Sequence, residues 1–405
     1  MNSYLSYKES GTEWVGDFPT NWYMKKLKYL FKEKKSTKNP SLSSGSISFG
    51  EVIYKDDEKI PISTKESYQE LLKGEFLVNP LNLNYDLRSL RIGKSDIDVV
   101  VSQGYIILNL FEGNNPDYFK YLLREFDIRH MKSLGQGIRQ TISFTHLKDE
   151  ILVFPPHTEQ KQIVSFLDTK TQKIDDLIEK TEQKIKLLKE KRTSLINHCV
   201  TKGLNPNVEM KDSGVEWIGE IPSHWDKIKV KYLGSIKSGD GLESSLIEPE
   251  GEFPVYGGNG VMGYYSNFNS DIPILVIGRV GEKCGNVHYE YSKVWINDNS
   301  LIFHPNEKVI SIKYLFHSFT QRDFNLLRNQ NTQPLITGTL VKNEYIPFPS
   351  ESEQYQIVEY LDEQTQKIDS TIEKETQRIE LLKEYRQSLI SEVVTGKVDV
   401  RDWKE

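Results

Sequence analysis

The residue sets in this chain that could do chemistry are few, and each fails on its surroundings. Gly258, Gly260 and Gly263 satisfy the GxGxxG spacing that lets a backbone approach a pyrophosphate. The residues that follow, Tyr264-Tyr265-Ser266-Asn267-Phe268, do not open the helix whose N-terminus such a site requires, so a tight loop is expected instead. Asn79-Pro80-Leu81 lacks the second proline and the aromatic of the Asn-Pro-Pro-aromatic run used in amino-methyl transfer, and Phe154-Pro155-Pro156 lacks its polar head. Pro116-Asp117 could begin a PD...(D/E)xK nuclease core, but no Glu-x-Lys follows on a suitable strand. There is no GxxxxGK[ST], HExxH or GxSxG. His146 aligns with Leu340, so no imidazole pair recurs along the chain. Cys199 and Cys284 have neither CxxC nor Cys/His ligand spacing, so they are read as buried small hydrophobes, and no catalytic residue or metal site is expected.

Two polar strips remain. Lys132 to His146, KSLGQGIRQTISFTH, corresponds to the region Asn329 to Leu340, NQNTQPLITGTL. Both are rich in Gly, Gln, Thr, Asn and Ser. A plain surface loop is the ordinary reading of such residues. Arg, Gln and Asn, however, are the side chains that bond guanine and adenine edges bidentately, while Thr and Ser hold phosphates. On that chemistry the candidate DNA contacts are Lys132, Gln136, Arg139, Gln140, Thr141 and Ser143 in the first strip, and Asn329, Gln330, Asn331, Thr332, Gln333 and Thr337 in the second. The strips differ where base readers should differ: Arg139-Gln140 aligns with Gln333-Pro334, while Ile142 and Ile336 agree.

The elements that must position these strips are written twice. Lys8 to Trp22, KESGTEWVGDFPTNW, recurs as Lys211 to Trp225, KDSGVEWIGEIPSHW. Pro155 to Thr201 recurs as Pro349 to Thr395, with about 28 of 47 positions identical. Between these frames the sequences are dissimilar, which suggests one architecture doing two versions of one job. The recurring tryptophans and prolines, Trp14/Trp217, Pro19/Pro222 and Trp22/Trp225, read as packing anchors rather than binding residues.

The second repeated block carries a heptad seam with no Gly or Pro between Gln160 and Thr201. Its apolar positions are Leu167, Ile174, Ile178, Ile185, Leu188 and Leu195 in the first copy, and Leu361, Ile368, Ile372, Ile379, Leu382 and Leu389 in the second, with Thr, Glu or Arg at equivalent places between them. A helix of about 40 residues, roughly 60 Å long, with one apolar stripe is marginal alone. The nearest matching stripe is the other copy. A pseudo-twofold relation between the halves makes the two helices antiparallel, puts the inserts at opposite ends, and returns the second helix to Lys8–Trp22. The alternative is that each helix packs only on its own domain. The inserts read as α+β. Strands are expected at Glu75–Asn79, Asp98–Val101, Tyr105–Leu110, Ile274–Gly278 and Leu301–His304, and helices at Pro116–Met131 and Ile312–Leu327.

The whole-chain formal charge of −6 argues against a simple basic nucleic-acid binder. Its distribution matters more. Residues 23–154 hold about 20 basic and 17 acidic side chains, residues 226–349 about 12 and 13, and the tail from Ser350 about 8 and 14. The acidity therefore sits mainly in the tail, which leaves room for local basic faces on the inserts. Met1 to Glu13 shows no basic stretch followed by an apolar one, and the longest apolar run, Ile97 to Phe111, is interrupted by Asp98, Ser102, Gln103 and Gly104. No signal peptide and no membrane span are expected, hence a cytoplasmic chain.

The DSGVEWIGEIP..W block, the Phe-Pro-x-x-x-Glu-Gln-x-Gln-Ile-Val-x-x-Leu-Asp entry into a long helix, their repetition, and PVYGGNGVMGY together resemble the specificity (S) subunit of type I restriction-modification systems, over essentially residues 8–397. The resemblance implies two α/β target recognition domains joined by two long helices that form an antiparallel coiled coil, a pseudo-twofold internal repeat. It divides the chain into a first recognition domain (1–154), a first spacer helix (155–203), a second recognition domain (204–348) and a second spacer helix with tail (349–405). Each recognition domain would read one half of a bipartite, asymmetric site on double-stranded DNA, and the spacer would dock two methyltransferase (M) subunits, joined by restriction (R) nuclease-translocase subunits. The chain itself would be a non-catalytic part of that enzyme complex, without a cofactor; S-adenosylmethionine, ATP and Mg would belong to the partners. Insert one lacks the YGGNG motif of insert two, so different targets are implied. A coiled-coil scaffold or clamp protein without sequence-specific DNA binding is the alternative, and a steep salt dependence of duplex binding separates the two.

Overall fold

A computed structural model describes residues 2–81, 90–134, 141–328 and 334–404. The chain forms two compact units, Met1–Lys180 with Arg378–Glu405, and Thr181–Gln377. Each contains the N-terminal half of one long helix and the C-terminal half of the other.

The first unit opens with a hairpin made by the repeat block, Tyr7–Glu9 against Asp17–Pro19. Tyr23–Lys26 then pairs with Ile151–Phe154, the strand that leads into the first long helix, His157–Lys202. Its central sheet has four antiparallel strands in the order Phe31–Glu33, Ile106–Leu110, Phe76–Val78 and Ile92–Lys94, and the helix Pro116–Arg129 packs on it through Tyr118, Phe119, Leu122 and Phe126. The second unit repeats this plan. A hairpin, Met210–Asp212 with Glu220–Pro222, is followed by Asp226–Lys229 against Tyr345–Phe348. Its four-stranded sheet runs Gly234–Ser238, Ser300–Pro305, Ile274–Gly278, Val287–Glu290, and the helix Ile312–Arg322 packs nearby through Tyr314, Leu315 and Phe319. Two unlike insert sequences thus fold to one plan. They differ in additions: the hairpin Gly45–Ser48/Glu51–Tyr54 in the first, and the three-stranded sheet of Phe253–Gly257, Gly260–Tyr265 and Trp295–Ile296 in the second.

All five expected strands are present within a residue or two. The helix expected to reach Leu327 stops at Arg322, because Asp323 takes a left-handed φ of 46° and its side chain accepts the Asn325 N–H, starting a separate turn over Phe324–Leu327. The first insert helix likewise ends at Arg129 and gives way to a turn over Met131–Leu134.

The two long helices, His157–Lys202 and Glu351–Val394, form the antiparallel coiled coil, and within each unit the pairing can be followed residue by residue. In the first unit Arg386 Nε lies 2.9 Å from Asp175 Oδ1; in the second, Arg192 Nε lies 2.9 Å from Asp369 Oδ1. Asp175 and Asp369 are equivalent positions of the repeat, as are Arg192 and Arg386. The same pair is therefore made reciprocally, as a twofold relation between repeats requires. Lys184–Glu375 and Arg192–Asp369 step in opposite senses along the two helices, the mark of an antiparallel pair. All twelve apolar seam residues are buried or half-buried, and Thr171 and Thr365 turn their hydroxyls onto Leu167 O and Leu361 O, which satisfies them inside the seam.

The ends of the long helices close onto the repeat blocks. Gly203 (φ 72°) lies against the Trp225 ring, and Gly396 (φ 75°) lies so close to Pro19 and Trp22 that a Cβ there would stand 2.4 Å from Pro19 Cδ. The recurrence of the blocks has its cause at the entry to each helix. Glu159, buried in the first turn of its helix, accepts hydrogen bonds from Trp22 Nε1 (2.9 Å), the Tyr4 hydroxyl (2.5 Å) and Asn21 Nδ2 (3.2 Å). Glu353 accepts from Trp225 Nε1 (2.9 Å) and bonds His224 Nε2 (2.8 Å). The next residue repeats too: Gln160 accepts the Asn115 N–H and donates to Pro155 O, as Gln354 accepts the Ser311 N–H and donates to Pro349 O.

Glu159→Ala would leave the Trp22 and Tyr4 donors buried without an acceptor, and is expected to destabilise the first unit by about 2–4 kcal/mol, read by urea denaturation. Ile178→Asp and Ile372→Asp each put an unpaired charge in the seam, expected to cost about 3 kcal/mol or more; unchanged thermal midpoints for both would mean that the helices do not depend on this seam.

Candidate nucleic-acid interface

In each unit the polar strip leaves the insert helix and returns to the frame at a buried isoleucine. In the first unit it starts on the turn carrying Lys132, a half-buried residue whose charge bears on the Asp127 carboxylate. At its far end Ile142 is buried and donates its N–H to Pro80 O at 3.1 Å, so that end lies beside Asn79-Pro80-Leu81. Asp127 ties the backbone at Arg91 and Ile92 to the insert helix: one of its oxygens accepts the N–H of both residues, and Arg91 Nη1 donates to Leu81 O at 3.2 Å. Burial dominates the carboxyl of Asp127 and pushes its pKa up to about 6 against the lowering effect of those N–H groups and Lys132.

The second unit makes the same junction with different residues. Ile336, fully buried, donates to Arg279 O at 2.9 Å, and Gly281 donates to Pro334 O at 3.1 Å, which sets residues 334–336 beside the loop that follows strand Ile274–Gly278. Arg279 Nη1 is held by Ser238 Oγ (3.3 Å) and Asp298 O (3.2 Å), while Lys283 and Arg328 are exposed on the adjoining turns. The glycines of the GxGxxG match serve packing. Gly258 lies in the hairpin turn between Phe253–Gly257 and Gly260–Tyr265, Gly260 and Gly263 lie in the second of these strands, and a Cβ on Gly258 would sit 2.6 Å from Val280 O. No helix follows them, in agreement with the tight loop expected. The cavity of about 470 Å³ beside this turn is lined by Gly258, Asn259, Val280 and Asn299.

Of the candidate contacts, Lys132, Thr141, Ser143 and Thr337 are described. Ser143 and Thr337 cap the short helices Phe144–Leu147 and Gly338–Asn343; Ser143 engages His146, and Thr337 Oγ1 accepts the Leu340 N–H. Their hydroxyls therefore hold the strip's exit, and both residues remain exposed. Gln136, Arg139, Gln140, Asn329, Gln330, Asn331, Thr332 and Gln333 lie outside the described residues. Arg91, Arg279 and Lys283, which lie beside the described ends of the strips, are not among the residues singled out from the sequence. A signal existed for the last two, since Arg-Val-Gly-Glu-Lys directly follows the apolar run ILVIG. Pro116 and Asp117 are helix-start residues, with Asp117 paired to Lys94. Cys199 and Cys284 are free and buried, and burial pushes the Cys199 thiol up to about 11. Among the described residues no His/Cys/Asp/Glu cluster could hold a metal ion, and no helix is long and apolar enough to cross a membrane.

The type I restriction modification DNA specificity domain matches residues 89–187 and 222–383, more than half of the chain. The chain belongs to this family. Two curated relatives are the EcoprrI specificity subunit of Escherichia coli, 28% identical over 141 residues (33% of this chain, 35% of the relative), and the MjaVIII specificity subunit of Methanocaldococcus jannaschii, 23% identical over 292 residues (61% and 62%). The matches thus span less than two thirds of either relative's length. The fold is also that of solved type I chains: one from a study of assembly and conformational transition of a type I R-M system (TM-score 0.69, 14% identity, 94% of this chain and 99% of that one), and the HsdS subunit from Thermoanaerobacter tengcongensis (0.53, 14%, 96% and 100%).

Asp127 gives the site a pH signature. Its folded pKa of about 6 lies above the unfolded value near 3.8, so its ionisation disfavours the folded state. Stability from this group is fully present below the unfolded pKa and lost as pH rises through 6. Relative to Asp127→Asn, the unaltered chain should therefore gain about 2–3 kcal/mol between pH 7.5 and pH 4, read as the difference between the two urea-denaturation profiles.

Proposed function

We propose that this chain is the DNA-reading subunit of a type I restriction-modification complex, in which each recognition domain (1–154 and 204–348) reads one half of a bipartite, asymmetric site. The observation that carries the reading is one frame built twice around unlike faces. Glu159/Trp22 and Glu353/Trp225 make the same carboxylate–indole junction, while the segments beside the described ends of the strips are Asn79–Leu81 with Arg91 in one unit and Arg279 to Lys283 in the other. A shared scaffold with different polar faces suits two different half-sites. The spacer helices, 155–203 and 349–405 with the tail, dock two methyltransferase subunits. In support, Leu187 and Leu381 occupy equivalent positions of the repeat on the long helices and are 63% and 65% exposed, the kind of apolar side chain that an interface covers. Methylation and cleavage belong to partner chains, the M subunits and the R nuclease-translocase, which would bring S-adenosylmethionine, ATP and Mg. The complex would work in the cytoplasm.

The deciding experiment is methylome sequencing with residues 23–154 exchanged for those of a relative: one half of the methylated site should change and the other persist, whereas a change in both halves would sink independent reading. Leu187→Asp and Leu381→Asp should each weaken methyltransferase binding at least tenfold in a pull-down titration while leaving the thermal midpoint unchanged, since both side chains are already in water.

A further inference from the structure

Among the described residues Arg124, on the insert helix of the first unit, has no hydrogen-bond acceptor and no carboxylate at ion-pair distance, and its Nε is buried without a partner. Arg386 from the second long helix, already paired to Asp175, lines the same cavity of about 170 Å³, as do Lys120, the Tyr121 ring and the turn residues Gly50 and Glu51. Burial and then the like charge of Arg386 lower the pKa of Arg124 and outweigh the raising influence of Glu125, Tyr121 and Asp175, the sign of a guanidinium only partly compensated where it sits. A charge taken out of water is normally matched by a partner, because an unmatched one is more costly than an unpaired neutral group. Three cations face this cavity against Glu51 and, behind Arg386, Asp175. The Tyr121 hydroxyl is turned to Asp168, to which it donates at 2.7 Å.

We propose that this cavity binds a small oxyanion of the phosphate class, held by Arg124, Arg386 and Lys120. Its volume admits a phosphate group with one or two waters but not a nucleoside, for which pockets of about 300 Å³ or more are usual. Two guanidiniums converging on one space offer the forked donors that suit tetrahedral oxyanions. Among the described residues the second unit has no counterpart. Aligning Tyr118 with Tyr314, which both donate to a last-turn carbonyl of a long helix, puts Thr320 at the place of Arg124 and Phe316 at that of Lys120. The site is therefore a property of the first unit, not of the shared frame.

The test is calorimetric titration of the purified full chain with inorganic phosphate against chloride at matched ionic strength, with thermal melting in parallel. The expected result is one saturable site, weakened at least tenfold in Arg124→Met and Arg386→Gln and unchanged in Arg192→Gln, the equivalent position of the second unit. Melting supplies a check that a merely structural arginine would fail. In phosphate-free buffer Arg124→Met should melt at the same temperature as the unaltered chain or higher, because an unpaired charge has been removed, while losing the rise in midpoint that phosphate gives. Repeating the titration with a short DNA duplex present separates the sources: competition identifies a backbone phosphate as the occupant, and independence identifies the free ion. Absence of saturable phosphate binding, equal binding by the Arg124→Met chain, or a lower melting point for that variant in phosphate-free buffer overturns the proposal.

Discussion

One carboxylate at the entry of each long helix carries most of what is regular in this molecule. Glu159 gathers Trp22, Tyr4 and Asn21, and Glu353 gathers Trp225 and His224. Because the donors are largely buried, the acceptor cannot be lost without leaving them unpaired, and because it sits in the first turn of a helix, its charge is also favoured by the helix dipole. Partial burial pushes the Glu353 carboxyl up, yet the hydrogen bonds from Trp225, His224 and Ser350 outweigh it and hold the group near 2. The adjacent Gln160 and Gln354 extend the junction to the start of the insert helix. Repeat block, insert helix and long helix thus meet at two neighbouring side chains in each unit, which explains why these short sequences recur while the inserts do not.

That junction also decides how the helix pair can serve two domains. The last turn of each long helix accepts a tyrosine hydroxyl from an insert helix, Tyr118 on Val394 O and Tyr314 on Val200 O, so an insert leans on the helix that begins beyond the other insert in sequence. Between the junctions the seam is not uniformly apolar. Thr171, Thr365 and the reciprocal Asp175–Arg386 and Arg192–Asp369 pairs interrupt it. Polar interruptions of this kind weaken an apolar seam but select one register, because any shift by a heptad would strand the arginines away from their aspartates.

The frame was legible in the sequence because its determinants are local or periodic. The heptad seam needs only spacing, the five strands are short apolar runs between turn residues, and duplication marks the anchoring tryptophans. The antiparallel direction followed from duplication alone. What was not legible depends on residues distant in sequence. The stop at Asp323 comes from a single left-handed residue in a stretch whose helical pattern continues beyond it. The role of Gly258 is set by Val280, and that of Asp127 by the backbone of Arg91, neither of which a periodicity reports. The strips were visible as polar composition, but Ser143 and Thr337 turned out to cap helices, a second use for residues chosen as DNA contacts on their chemistry.

The division of the long helices between the units constrains how such a chain can change. The first unit ends its core with Leu389, Ile390, Val393 and Val394, drawn from the last turns of the chain's second long helix; the second uses Ile196, Cys199 and Val200 from the first. Neither unit can complete its core from one repeat alone, so a substitution in either seam is felt by a junction as well as by the helix pair. Insert residues away from those junctions have no such double duty. Lys120 and Arg124 could be acquired on the first insert helix, with Phe316 and Thr320 at the matching places of the second, because those positions face a cavity rather than the shared contacts at Tyr118 and Tyr314. Variation is therefore channelled to the faces that the frame leaves open, and a polar strip anchored at a buried isoleucine is the kind of element that can be rewritten without disturbing what holds it.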